Sequence, residues 1–310
     1  MLTRKTVILV KPETAYGVDP VPTPANNALL VSDVDLKVQG EVIERDFIRS
    51  SLSPLMFMRG IRQVELSFKT ELHGSTARGT LPNTGWTGAL FRACGLSETV
   101  TANTSIVYAP VSAGFESCAI YVYMDGIFHK ILGCRGSFKL NFEVGKYPTA
   151  EFTMKGLYAS PTDAAPGAQT FAATKPVPVL SAGFSFGGYS AVATKLEIDI
   201  NNDVKERKSL NSASGIIGFE IVGRQPQGSF DPETVLEAAH PFWANWEDAV
   251  ARILNIGPIG TVEGNILTVN CPKAQLRDMT YADRNGVMAY TVPIALAMTD
   301  GDDELSITIT

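Results

Sequence analysis

The chain has 310 residues, 45% of them hydrophobic and 19% charged, enough to bury cores for two domains of about 150 residues each. A net charge of −6 and a pI near 5.2 disfavour a protein that clings to the phosphate backbone of nucleic acid. No apolar run approaches the roughly 20 residues of a membrane-spanning helix. The Val7–Val10 patch is too short for a signal peptide and reads as an N-terminal strand or arm, so the chain is expected to stay in the cytoplasm where it is made.

Residues 1–30 are rich in Pro and Ala and read as an extended arm with little core of its own. Ser32–Gln39 alternates, with Val34, Leu36 and Val38 against Asp33, Asp35 and Lys37, which predicts a half-buried strand. An irregular stretch, Glu41–Gly60, follows, and its Leu55, Met56, Phe57 and Met58 do not suit a hairpin tip that meets only water. Ile61–Leu72 is the clearest strand, with Val64, Leu66, Phe68, Thr70 and Leu72 opposite Gln63, Glu65, Ser67, Lys69 and Glu71. Trp86, Ala89, Leu90 and Ala93 then recur at helical spacing, with Asn83 or Thr84 as cap and Gly95 as stop. Strands are expected at Ser105–Tyr108, Cys118–Tyr123 and Phe128–Leu132, the last two joined by the Asp125-Gly126 turn. Gly136–Val144 and Thr149–Leu157 form a further hairpin.

The stretch 158–178 holds four prolines and no apolar periodicity, and it reads as a linker. Beyond it the order repeats. Lys195–Ile200 alternates, a charged loop covers Asn201–Gly215, and Ile217, Phe219 and Ile221 form the counterpart of the Ile61–Leu72 strand. A helix is predicted over His240–Leu254, with Trp243, Trp246, Val250 and Ile253 on one face and Pro241 in the first turn. Strands follow at Gly260–Val269, Val287–Met298 and Glu304–Thr310. Gly145 follows Trp86 by 59 residues and Gly301 follows Trp243 by 58, in support of a duplication. The expected architecture is mainly β: two tandem β-sandwich or half-barrel domains, each with one flanking α-helix, at 31–158 and 179–310, joined by a linker at 159–178. Long open sheet edges invite pairing with other chains and point to an assembly subunit.

No catalytic, cofactor or metal site is predicted. The four cysteines lie far apart without CxxC spacing and read as small buried hydrophobes. His73, His129 and His240 lack partners for catalysis. The acidic run Asp300–Glu304 lacks the alternating ligand spacing of a calcium loop, and the Asn103-Thr104-Ser105 triplet means nothing without secretion.

The ordered set of KPETAYGVDPVPTPANNALL, TELHGS followed by LPNTGWTGALFRACGL, Val107-Tyr108-Ala109-Pro110, the segment from Ser117 to Tyr158 and the DGDDELSITI tail resembles the major tail proteins, or tail tube proteins, of long flexible-tailed bacteriophages. The resemblance implies tail-tube-like domains whose sheets join those of neighbours into rings with an inner β-barrel. Stacked rings then form a tube, without a sheath, that guides viral DNA from capsid to host. Most relatives carry one such domain and form hexamers; a doubled domain implies a trimer with pseudo-sixfold symmetry. Further implied partners are tail-tip, tape-measure and tail-terminator proteins, with the product residing in the virion tail. On this reading Glu65, Lys69, Glu71, Glu143, Glu151, Glu197, Asp199 and Glu220 line the lumen as a mostly acidic wall that repels DNA. The loops 41–60 and 201–215 would touch the next ring through Arg45, Phe47, Arg49, Met56, Phe57, Lys205, Glu206, Arg207 and Lys208. Two other readings are a secretion-system tube protein, typically single-domain, and a carbohydrate-binding, hydrolytic or otherwise non-tube β-sandwich.

Overall fold

The computed structural model describes Leu2 and residues 4–82 and 84–310; Asn83, one of the two expected helix caps, lies outside the described residues. The first half runs β1 (Thr6–Pro12), α1 (Pro24–Asn27), β2 (Ala28–Leu29), β3 (Val31–Ile43), β4 (Met58–Glu71), α2 (Gly88–Ala93), β5 (Leu96–Thr101), β6 (Ser105–Pro110), β7 (Cys118–Met124), β8 (Ile127–Glu143), β9 (Thr149–Tyr158) and β10 (Thr162–Asp163). The second half follows from residue 185. It runs β11 (Ser185–Phe186), β12 (Ala193–Asp199), β13 (Asn202–Lys208), β14 (Ile216–Arg224), β15 (Gln227–Pro232), α3 (Phe242–Glu247), β16 (Arg252–Ile259), β17 (Leu267–Leu276), β18 (Thr280–Arg284), β19 (Val287–Ala297) and β20 (Ser306–Ile309). The fold is mainly β, and its strand pairings are antiparallel.

One sheet carries the architecture. Its strands lie in the order β3-β4-β9-β8-β12-β15-β19-β17, so it crosses from the first half to the second at the β8–β12 pair. Alternation sends Val64, Leu66, Phe68, Phe138, Leu140, Phe152, Leu196, Ile198, Val292 and Ile294 to one side, where all are buried. A second layer covers them: β2-β1-β7 continues through the first part of β8 to β10, and β11-β16 continues through the first part of β17 to β20, β6 and β5. The apolar side chains of both halves merge into one cluster. Within it Phe91 of α2 sits 5.1 Å from the rings of Tyr108 and Phe138 and 5.5 Å from Phe152.

The pairings occur twice in the same order. β3 pairs β4 as β12 pairs β15; β4 pairs β9 as β15 pairs β19; β9 pairs β8 as β19 pairs β17. β7 flanks β8 as β16 flanks β17, β1 flanks β7 as β11 flanks β16, and β10 caps β8 as β20 caps β17. The β5–β6 hairpin has no counterpart in the second half.

Several expectations are corrected. The N-terminal segment is no coreless arm: Ile8 and Leu9 are fully buried, and β1 pairs β7 over seven residues. The strands expected at 128–132 and 136–144 are one 17-residue strand, bent at a bulge beside Gly133 (φ 61°). Helix α2 starts at Gly88, after Thr87 rather than Thr84, and Trp86 instead donates through Nε1 to Glu98 at 3.0 Å. Helix α3 ends at Glu247, and Ile253 belongs to β16, because Ala249 adopts φ 49° and turns the chain out of the helix. The strand expected at 260–269 is displaced: β16 ends at Ile259 and β17 begins at Leu267. The matched Trp-to-Gly spacings also fail as a correspondence. Gly145 turns β8 into β9, whereas Gly301 lies between β19 and β20. The true counterpart of the β8–β9 turn is Asn285-Gly286, where both residues have positive φ, as a two-residue hairpin requires.

The predicted loop 201–215 is also corrected, because most of it is strand β13, paired with β14 as a separate two-stranded ribbon. β12 with β13, and β14 with β15, continue each other as the long strands β3 and β4 do. They are broken by Asn201 (φ 48°) opposite Gln225-Pro226, where proline has no N–H to offer the ladder. A register shift between Arg207↔Gly218 and Lys208↔Ile216 buries Ile216 and exposes Ile217, the reverse of the simple alternation.

Candidate assembly surfaces

The second side of the main sheet is polar. Register places Lys37, Glu65 and Lys155 in one row, Asp35, Ser67, Thr153 and Ser137 in the next, and Lys69, Glu151, Lys139 and Asp199 in the one after. A further row holds Glu71, Thr149, Asn141, Glu197 and Ser229, and Glu143 faces Lys195. Seven of the eight expected lining residues therefore share one face: Glu65, Lys69, Glu71, Glu143, Glu151, Glu197 and Asp199. Glu220 does not belong with them. It lies on β14, where its carboxylate meets Arg135 at 2.6 Å and Arg207 at 3.6 Å.

The face is not mostly acidic either. Sequence reading selected carboxylates, but the same alternation brings Lys37, Lys139, Lys155 and Lys195 among them. Lys37 lies 2.7 Å from Asp35, Lys69 lies 3.0 Å from Asp33 and 4.0 Å from Glu151, Lys139 lies 2.5 Å from Glu197, and Lys195 also pairs with Glu197. Partial burial would raise the Glu197 carboxyl, yet hydrogen bonds from Lys139 and Lys195 hold it below the ordinary range. Burial pushes neighbouring Asp199 up, against the hydrogen bond it accepts from the Asn201 N–H at 2.7 Å. The hydrogen bond to Asp33 raises Lys69. Exposed pairs of this kind add about 0–1 kcal/mol each.

The β3–β4 connection is a second surface. Residues 44–57 have no regular structure and carry Phe47 at 69% exposure, Met56 at 86%, and Ile48 and Leu52 fully exposed. Arg49 bonds the Ser53 carbonyl within the loop, and Phe57 lies under the Arg59 guanidinium at 5.0 Å. Sequence reasoning missed Ile48 and Leu52, although both are large apolar residues inside the stretch it singled out. Several large apolar side chains exposed on one loop make it a candidate interaction surface.

The ribbon is the third. Lys205, Glu206, Arg207 and Lys208 are exposed or partly exposed along β13, ion-paired locally as Lys205–Asp203 and Lys208–Glu206, each at 2.8 Å. Underneath, Val204, Ile216, Phe219 and Ile221 pack on Ile61, Phe115 and Leu157. Arg135 pins it down, with Nε donating to the Glu116 carbonyl at 3.1 Å and the two terminal nitrogens to the Phe219 and Phe115 carbonyls at 2.9 and 2.7 Å. Tyr16 lies 5.0 Å beneath the guanidinium, donates to the Gly133 carbonyl at 2.8 Å and accepts from the Phe219 N–H at 2.7 Å. A polar cleft of about 530 Å³ remains between ribbon and sheet, lined in part by Glu65, Ser137, Lys155, Asn202 and Lys205.

A sheet open at both ends, with one polar face and an apolar protruding loop, is the anatomy of a self-assembling subunit. The sequence profile of the family described as phage tail tube protein matches residues 3–294, nearly the whole chain. The chain belongs to this family. As a phage tail tube protein it is a structural subunit of the bacteriophage virion, placed in the tail, where copies assemble into a tube. A search of curated proteins returns no match. Among the described residues no helix is long and apolar enough to cross a membrane, and all four cysteines are buried free thiols.

Proposed function

We propose that three copies of this tail tube protein form a ring with pseudo-sixfold symmetry, and that the rings stack into the hollow conduit of a long non-contractile tail. The observation that carries this reading is the continuous eight-strand sheet whose pairing order occurs twice, so that one chain supplies what two single-domain subunits would. Closing such sheets into a barrel removes their edges. The domain boundaries then fall near residues 31–158 and 179–310, with β1 added to the first and residues 159–178 as the connecting strap.

The polar face lines the lumen, and viral DNA passes along it on its way to the host. DNA binds cationic surfaces by releasing counterions. Here Lys37, Lys69, Lys139 and Lys195 are engaged by carboxylates and Lys155 reaches the Val204 carbonyl, so the wall offers little for the genome to stick to. Rings stack through the 44–57 loop, whose Phe47, Met56 and Phe57 are covered by the neighbouring ring, and through the charged outer edge of the ribbon at Lys205–Lys208. Tape-measure, tail-tip and tail-terminator proteins set the length and ends of a tube assembled in the host cytoplasm.

Negative-stain electron microscopy of concentrated protein tests the reading. The expected images are rings or tubes with a central hole and threefold class averages. Sixfold averages built from six chains would replace the stoichiometry, and solid particles without a channel would overturn the conduit.

A further inference from the structure

In the main sheet the chain contains one junction between its halves and leaves open the two strand edges that would make a second. At the internal junction the last part of β8 pairs antiparallel with β12, Lys139 opposite Asp199, Asn141 opposite Glu197 and Glu143 opposite Lys195. The counterpart of β12 is β3, which pairs β4 on one side and carries no strand on the other among the described residues. The counterpart of the last part of β8 is the end of β17 with β18. β18 pairs β19 on one side and likewise carries no strand on the other among the described residues. The two free edges are thus the pair of partners already seen joined inside the chain.

We infer that β3 of one copy pairs antiparallel with β18 of the next, in the register of the internal β8–β12 junction. This inference rests on the ring reading above and specifies the contact that closes the ring. Each half has a bulge where its flanking strand leaves, between Ile131 and Cys134 in β8 and between Cys271 and Ala274 in β17. Matching these bulges, and following the one-residue shift between Leu276↔Ile294 and Thr280↔Thr291, sets Thr280, Ala282 and Arg284 in the places of Lys139, Asn141 and Glu143. The same match, carried across β15 and β4, sets Lys37, Asp35 and Asp33 in the places of Asp199, Glu197 and Lys195.

At one end of the two junctions the charges are then complementary with their signs exchanged. Inside the chain Glu143 faces Lys195; between copies Arg284 faces Asp33. On the opposite face Tyr281, 60% exposed in the single chain, comes beside Leu36, in the place where buried Leu140 meets buried Ile198. Backbone groups left open on both edges gain partners. An opposite-charge pair placed across strands favours this register, whereas like charges would oppose it.

The test is a disulfide across the junction, with the full-length chain carrying Asp35→Cys and Ala282→Cys. Directly opposed residues have Cα atoms within bonding reach, and the native thiols are buried and out of competition. Mild copper-catalysed oxidation of assembled protein is expected to give a ladder of covalent oligomers on denaturing gels, ending at the trimer. The control pair Gln39→Cys with Ala282→Cys, displaced by about 13 Å along the strand, is expected to stay at least tenfold less linked. Rings or tubes in the microscope without a 35–282 link, or with the 39–282 pair linking instead, would overturn this junction and leave the tube reading standing. Unmutated protein that stays monomeric at every concentration would overturn both.

Discussion

Arg135→Ala removes the clamp between the ribbon and the main sheet, and its cost can be worked out from the contacts. The variant loses bonds to three backbone carbonyls, the ion pair to Glu220 and the stacking on Tyr16. Arg135 is 7% exposed, so the abandoned groups find little water. The Glu220 carboxylate left behind is 33% exposed and keeps Arg207, so the cost comes mainly from the three carbonyls, at about 1–3 kcal/mol each for those that stay dry and roughly 3–5 kcal/mol in all. Because Val204, Phe219 and Ile221 pack in a small cluster separate from the main core, the loss falls first on local opening of the ribbon. At about 1.4 kcal/mol per factor of ten, amide exchange across residues 202–224 should accelerate by roughly two to three orders of magnitude, with strands β8 and β9 much less affected. Arg135→Lys should recover less than half of this, since a single ammonium cannot serve carbonyls on both sides as the planar fork does. Exchange in the ribbon rising less than fivefold, or rising equally throughout the sheet, would refute the assignment of Arg135 as the clamp.

Three further outcomes follow from the contacts described. Gly88→Ala would set a Cβ 2.2 Å from the Glu98 carboxylate and 2.6 Å from the Tyr108 hydroxyl; thermal denaturation should show a loss of about 1–3 kcal/mol. Alkaline titration should destabilise the fold above pH 10. Burial raises Tyr16 from the ordinary 10 to about 12, so its contribution is complete below pH 10 and is lost as pH rises toward 12; Tyr16→Phe should flatten that limb of the stability–pH curve. Deleting residues 44–57 should leave rings that sediment as rings and form no tubes, and normal tubes from that protein would remove the loop from stacking.

How much of this was legible in the sequence depended on the element. β4 and β9 were readable because strict alternation reports a strand with one wet and one dry face, and both strands have that environment along their length. β1 was legible only as a strand or an arm, because Ile8, Leu9 and Val10 are buried on both sides and a short apolar run carries no period. β13 was hidden by its charges: Lys205–Lys208 read as loop, while Val204 alone marks the packed side. The Asn285-Gly286 turn was missed although Asn-Gly between apolar runs is a strong hairpin signal, and Gly301 was taken in its place. On the polar face, periodicity puts Glu65, Glu71, Glu143, Glu151, Glu197 and Asp199 on one side of the sheet but misplaces Glu220. Their lysine partners lay on neighbouring strands, and only cross-strand register brings Lys139 to Glu197.

The strap between the halves is bonded to both of them, Thr170 N–H to the Pro24 carbonyl and Asn265 to the Lys175 carbonyl, yet it contributes no strand to the β8–β12 junction. Five opposed residue pairs at β8–β12, three at β6–β20 and a shared core hold the halves together without it. A protease that cuts the exposed stretch near Gln169 would therefore leave a nicked protein whose two pieces stay bound and are separated only by denaturant. The covalent link acts mainly by keeping the halves at high effective concentration. Either piece made alone would present a bare strand edge over an uncovered apolar face, so the two should reach the folded state more readily when expressed together than when mixed after separate purification.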